Sequence, residues 1–540
     1  MKQIEAVVGN INDLNDGEMR QVSVGETEIL LSRIDGKFYA VGAHCTHYKA
    51  PLAEGVLSGH HVVCPWHNAY YDVTTGDQQE PPGLDALACY KVRIEGENVI
   101  VSVPEETNGL RSPAMAQFDP NVDRRTFVIL GAGAAGVHAA ETLRVAGYQG
   151  RIVMITQDNK LPYDRTKLTK DYFIGKTSAE EMPLRSPDFF KEHAIEVLLN
   201  KRVEQVQTTA KTIAFTDSDT GASSDSLTYD ALLVATGGKP RQLDIPGADL
   251  QNILTLRSFN DTDRILTTSK QKGQAVVIGS SFIGMETAAG LRQHGLEVTV
   301  VSPDSVPFKK TLGEEIGKLF QQVHEENGVS FKFGRKVVQF EGSDKVEAVI
   351  LDNGDRLKAD IVIVGIGVQP ATDFLQGIDL HPKDGSIVVD EYLRAADGIY
   401  AAGDIARYPD WRTNESIRVE HWRVAAQQGR IAAHNMTGKA VKFRGLPLFW
   451  TMQFDFPLRY IGHAQSWDEI IVDGDLQKQE FIAFYLKNNQ VLAVATSHQD
   501  TETAAISELM RLNQMLTVDE LRRGTVDLIN RGQPEVSSKR

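Results

Sequence analysis

"TFVILGAGAAGVHAAETLRVAG", Thr126 to Gly147, places a short apolar run, three glycines and an alanine-rich stretch in that order. The run Thr126–Leu130 reads as a buried strand, Gly131-x-Gly133-x-x-Gly136 as a tight turn, and the remainder as a helix. Glycine at those three positions lets the chain turn sharply, lets backbone approach an anion, and lets the helix pack closely on the strand. The helix N-terminus then faces the anion with its positive end. A second strand, "RIVMIT" (Arg151–Thr156), completes a βαβ opening, and Asp158 follows, 22 residues past Gly136, where a carboxylate can take a ribose hydroxyl. Strand, glycines, helix and acid together specify a dinucleotide site.

The pattern recurs. "QAVVIGSSFIGMETAAGLRQHG" begins at Gln274, with Gly279 lying 148 residues after Gly131, and "LEVTVV" follows as its next strand. This copy departs from the first. Ser281 stands at the middle glycine, Gly284 keeps the third, and Ser302 occupies the strand end where an acid selects NAD. Asp304 lies two residues on, and no arginine is there in the sequence to welcome a 2′-phosphate. The copy reads as an NAD(P)H site leaning to NADH over NADPH; a decayed, non-binding unit is the alternative.

The chain has 540 residues, of which 41% are hydrophobic and 24% charged, with 45 glycines and a formal net charge of −15. That balance argues against nucleic acid and anionic membranes as partners. No apolar run reaches the ~20 residues of a membrane helix. The N-terminal stretch fits neither a secretory signal nor a transit peptide, so a cytoplasmic protein is expected.

Residues 1–104 alternate short β-like runs with Gly, Asn and Asp turns and are expected to form an all-β domain. Residues 105–124 are rich in turn formers and read as a linker. The expected order thereafter is a nucleotide-binding domain in two parts, 125–250 and 376–445, interrupted by a second one at 251–375. An α+β domain at 446–530 follows, with strands such as "LRYIGH" and "FIAFYL" and a helix over "ISELMRLNQML". Residues 531–540 read as a tail. The fold class is therefore multidomain: all-β, then two Rossmann-like α/β domains, then α+β.

Only three cysteines occur, Cys45, Cys64 and Cys89. Two of them lie in "CTHYKAPLAEGVLSGHHVVCPWH", as Cys45-x-His47 and Cys64-x-x-His67. Two thiols and two imidazoles can hold zinc or an iron–sulfur cluster. Zinc sites commonly pair like ligands on each arm; here each arm offers one of each. Cys89 reads as a lone structural thiol.

Residues 126 to about 530 resemble the two-dinucleotide-domain flavoproteins related to glutathione reductase. The motifs are the two glycine turns, "YDALLVATGGKP" (with Ala235, Thr236 and Gly237), "VGIGVQPAT" and "GIYAAGDIA" (with Asp404). The resemblance implies FAD, with Asp404 at the ribityl chain. That family's disulfide reductases use a redox cysteine pair, yet no cysteine follows Cys89, so electrons leave by another route. "LPYDRTKLTKDY" and "GMETAA" are closer to NADH-dependent ferredoxin reductases and apoptosis-inducing-factor-like proteins. By similarity Arg165 and Lys170 contact FAD, Lys170 pairs with Glu286 beside it as the catalytic pair, and Trp422 and Trp450 lie near the isoalloxazine.

The Cys/His stretch resembles Rieske domains, in which Cys45 and Cys64 would hold one iron and His47 and His67 the other. Where high-potential relatives carry a disulfide and a serine donor, this chain has Ala50, Trp66 and Ala69, although Tyr71 keeps the tyrosine position. Fewer hydrogen bonds to sulfur place the expected potential in the lower part of the Rieske range of roughly −150 to +300 mV. The resemblance implies electron flow from NAD(P)H through FAD to the chain's own [2Fe–2S] cluster and on to an unidentified one-electron acceptor, protein or small molecule. The alternatives are an NADH-binding redox sensor with little turnover, and flow in reverse toward NAD⁺. A homodimer is compatible with all three.

Overall fold

The computed structural model describes residues 2–221, 225–271, 273–524 and 527–532; of the expected tail, residues 533–540 lie outside the described residues. The chain divides into two compact units, Met1–Ala114 with Leu446–Trp450 and Leu458–Arg540, and Met115–Gly445 with Thr451–Pro457.

In the first unit, the expected β-like runs form a six-stranded antiparallel sheet in the order Gln3–Asn10, Asn98–Pro104, Cys89–Glu95, Lys37–Gly42, Thr27–Ile34, Met19–Val24. Hairpins close where glycine supplies a left-handed residue: Gly25 and Gly36 have φ of 60° and 74°. A second antiparallel sheet, Val56–Ser58, His61–Val63, Tyr70–Asp72 and Gln78–Glu80, carries the Cys/His loops at one end. Toward the C-terminus lies a five-stranded antiparallel sheet, Leu448–Gln453, Phe456–Gly462, Gln490–Ser497, Glu480–Lys487, Glu469–Asp475. The helix expected over Ile506–Leu516 instead runs Asp500–Arg511. It ends early because Leu512 caps it and Asn513 turns left-handed at φ 57°.

The sequence reading set 1–104 and 446–530 apart as separate domains, but one apolar core runs through both. Val56, Val63 and Tyr70 pack in the same cluster as Leu448, Ile461, Phe484, Val494, Ile506 and Leu509. Thr501 donates to the Glu54 carbonyl at 2.8 Å, and the buried Glu508 carboxylate pairs with Arg511 at 2.8 Å. The expected linker is pinned at its start, where Leu110–Arg111 pairs with Ala86–Leu87 as a two-residue strand.

In the second unit, the two expected parts of the first nucleotide domain do share a sheet. Its order is Ile195–Leu198, Arg151–Ile155, Thr126–Leu130, Ala231–Val234, Ile399–Ala401, Arg394–Ala396, parallel but for the last strand. Its inner strands Thr126–Leu130 and Ala231–Val234 are nearly continuous buried apolar runs, as a sheet covered on both faces requires. Helix α1 (Ala134–Val145) follows the first glycine turn. The second nucleotide domain has the parallel order Ile253–Leu254, Ile361–Val364, Gln274–Ile278, Glu297–Ser302, Val329–Phe333, with α2 (Phe282–Gln293) after its glycine turn. The chain passes between the two along Gly238–Pro240 and Val368–Pro370, which pair antiparallel. Helix α3 (Trp422–Met436) crosses α1 at Gly429, where any Cβ would strike the Ala135 carbonyl.

Candidate functional site

The four predicted ligands meet as two pairs. The buried Cys45 and Cys64 thiols share a hydrogen bond, and His47 Nδ1 lies 3.1 Å from His67 Nδ1. Among the described residues no three His, Cys, Asp or Glu side chains converge on a single-ion position. Two like pairs suit a two-iron cluster better than one zinc ion. The two imidazole nitrogens, 3.1 Å apart, are near enough that both would bind one iron of such a cluster. Sulfur acceptors are served too. Backbone amides of His47 and Tyr48 bond Cys45, and those of Trp66 and His67 bond Cys64. The Tyr71 hydroxyl lies 3.3 Å from Cys45 Sγ and accepts the Thr46 amide at 3.0 Å. The Cys64 partnership and these donors draw the Cys45 thiol down, while burial pushes the Cys64 thiol up. Both thiols must be deprotonated to ligate iron.

Two residues outside the motif reach this loop pair. The Trp450 ring lies 4.1 Å from the His67 ring and 5.9 Å from His47. Trp450 was expected at the isoalloxazine; its observed neighbours are the two imidazoles. Arg459 Nε donates to the Trp66 carbonyl at 2.8 Å.

The first glycine turn has the shape an anion needs. A Cβ on Gly131 or Gly136 would strike backbone carbonyls, whereas one on Gly133, which caps α1, would meet nothing within 4 Å. The turn thus opens onto free space at a helix N-terminus. Asp158 accepts the Tyr163 hydroxyl at 2.8 Å. Gly237 and Asp404, from motifs far apart in sequence, come together around Arg257, whose guanidinium donates to Asp404 at 2.6 Å. Ala235 crowds Gly131 through its carbonyl, and Thr236 donates to the Ala371 carbonyl at 2.8 Å. Trp422 opens α3 and packs partly buried on this core. Arg165 heads a short 3₁₀ turn capped by Asp164, with its guanidinium 5.7 Å from the Tyr163 ring.

That turn delivers Lys170 to Glu286, which is 4% exposed on α2; Lys170 Nζ donates to it at 2.8 Å. Two hydroxyls complete the carboxylate. Thr169 donates to the same oxygen as Lys170, and Thr451 donates to the other at 2.6 Å. At the second glycine turn, Cβ atoms on Gly279 or Gly284 would strike carbonyls, and Ser281 donates to the Gly365 carbonyl at 3.4 Å. The hydroxyl of Ser302 accepts from Ser280 at 2.8 Å, and Asp304 is paired with Lys310 at 3.6 Å.

The family model "Pyridine nucleotide-disulphide oxidoreductase" matches residues 125–429, more than half of the chain. The chain belongs to the pyridine nucleotide-disulphide oxidoreductases. Two further family models match this oxidoreductase: "Rieske [2Fe-2S] domain" over residues 5–91 and "Reductase C-terminal" over 448–530. Apoptosis-inducing factor 3 of Homo sapiens is 38% identical over 94% of this chain and 84% of its own length. Putidaredoxin reductase CamA of Pseudomonas putida is 32% identical, covering 69% of this chain and 89% of the relative. The crystal structure of the covalent putidaredoxin reductase–putidaredoxin complex matches with a TM-score of 0.70 at 30% identity, covering 75% of this chain and 98% of that one. This oxidoreductase is accordingly an FAD-dependent NAD(P)H enzyme of the ferredoxin-reductase type, and its Rieske domain carries a [2Fe–2S] cluster.

Proposed function

We propose that this chain passes electrons from NAD(P)H through FAD to its own Rieske cluster and on to a separate one-electron acceptor. Cys45, Cys64, His47 and His67 are the cluster ligands in this reading. Gly131, Gly133, Gly136, Asp158, Arg165, Lys170, Ala235, Thr236, Gly237, Asp404 and Trp422 bind FAD, and Gly279, Ser281, Gly284 and Glu286 bind NAD(P)H. FAD supplies the conversion between a two-electron hydride and single electrons. Lys170 holds a positive charge where the reduced ring would be anionic, and Glu286 orients that lysine.

One observation carries the internal transfer. Trp450 lies against both histidines of the cluster pair, and the next residue of the same strand, Thr451, hydrogen-bonds Glu286, the partner of Lys170. Both sets of groups are therefore carried by one polypeptide. The putidaredoxin reductase of the covalent complex is joined to a separate putidaredoxin; here the Rieske domain is part of the chain.

The test is anaerobic addition of NADH or NADPH to the loaded protein, following flavin and cluster absorbance separately. Flavin bleaching followed by cluster reduction supports the reading; a reduced flavin beside a persistently oxidised cluster refutes it. Cys64→Ala should keep flavin reduction and lose cluster-dependent transfer to cytochrome c. A long-lived flavin–nicotinamide complex without turnover would replace the enzyme reading with a sensor.

A further inference from the structure

Arg459, in the "LRYIGH" strand, carries no role in the sequence reading, yet its side chain is built into the cluster loops. Its side chain is 11% exposed. Nε donates to the carbonyl of Trp66, the residue between Pro65 and the ligand His67, at 2.8 Å. Nη1 is paired with Asp500 Oδ1 at 2.6 Å, and Asp500 is 37% exposed. Asp500 is the carboxylate paired with that guanidinium. A guanidinium stays charged at any working pH, so the loop holds a fixed, largely desolvated positive charge whose counter-charge is half in water.

We propose that Arg459 is a positioning residue for the [2Fe–2S] cluster and raises its reduction potential, with Asp500 tempering that effect. The proposal rests on the ligand reading given above. Reduction adds one electron to the cluster and breaks no bond, so the reduced form is more negative by one charge. A buried cation beside the Cys64 loop favours that form, and its carboxylate partner disfavours it. The bond to Trp66 fixes the loop that presents Cys64 and His67. Ala69 stands where high-potential relatives carry a serine donor to sulfur; Arg459 supplies compensation through charge instead.

The two residues should act in opposite directions, which a purely structural clamp would not do. In the loaded full-length protein, EPR-monitored redox titration of Arg459→Met is expected to show about a tenfold loss in the one-electron reduction constant, 59 mV lower. Asp500→Asn should shift the potential upward by a smaller amount, because Asp500 is the more exposed. Arg459→Lys keeps the charge and should recover most of the wild-type potential while altering the EPR line shape through the lost Trp66 bond. If Arg459→Met does not retain iron, Asp500→Asn and Arg459→Lys decide. Potentials that fall in both Arg459→Met and Asp500→Asn, or an Asp500→Asn potential equal to wild type, overturn the proposal. Iron analysis and the wild-type EPR signal separate this from failure of the ligand reading: without a [2Fe–2S] signal in wild type, the ligand assignment itself fails.

Discussion

Lys170 and Glu286 offer the sharpest test of the flavin side. Glu286 is 4% and Lys170 20% exposed, and the two are 2.8 Å apart. At an effective dielectric of about 20, charges at that distance attract by ~6 kcal/mol, and desolvating the carboxylate offsets most of it. A net coupling of about 1.5–3 kcal/mol remains, as for other hydrogen bonds to charged groups. The perturbation is a double-mutant cycle with Lys170→Met, Glu286→Ala and the pair. Stopped-flow flavin bleaching by NADH under anaerobic conditions is the assay. Lys170→Met should slow bleaching about 100-fold, the usual cost of one preorganised charge-stabilising donor. Glu286→Ala should slow it by about 20-fold, because Lys170 survives but loses its anchor. The double variant should be no slower than Lys170→Met alone. Additive losses, with coupling below about 0.5 kcal/mol, would show that Glu286 acts independently and would refute the pairing as the source of its effect.

Three other outcomes follow from the geometry. Gly429→Ala puts a methyl into the Ala135 carbonyl; thermal melts should fall, at a cost of about 1–3 kcal/mol for overpacking, with FAD released more readily in gel filtration. Tyr71→Phe removes the hydroxyl near Cys45 Sγ and should lower the cluster potential by about 40 mV if that bond favours the reduced form by ~1 kcal/mol; redox titration reads it. His434 is pushed down to about 4 by burial and by Lys439 and Arg430. Its folded value is thus depressed below the ordinary ~6.5, so its neutral form favours the fold above that pH, and this stability is lost as pH falls from about 6.5 towards 4. Melting temperature against pH should show that slope, and His434→Gln should flatten it.

The sequence carried what is local. Glycine turns, strand ends and the Cys/His loops are contiguous words whose chemistry depends on neighbours a few residues away, and the strands over 19–42 and 480–497 fall close to where alternation put them. The Lys170–Glu286 pair came through resemblance, since nothing in the local pattern joins residues 116 apart. Thr169 and Thr451 around the same carboxylate were invisible for the same reason: hydroxyls belong to no motif. Arg257 meets Asp404 and Arg459 meets Trp66, and only folding reveals these partners. Apolar strands look alike in sequence whether their own domain or a distant segment covers them, which is why the core common to the first and last segments was missed.

That common core bears on how the protein is made. Val56, Val63 and Tyr70 leave the ribosome early, but the surface they pack against begins at Leu446. Roughly 400 residues separate the two, a delay of roughly 20 to 80 s at 5–20 residues per second. Until then the face carrying Val56, Val63 and Tyr70 lacks the segment that covers it in the folded protein.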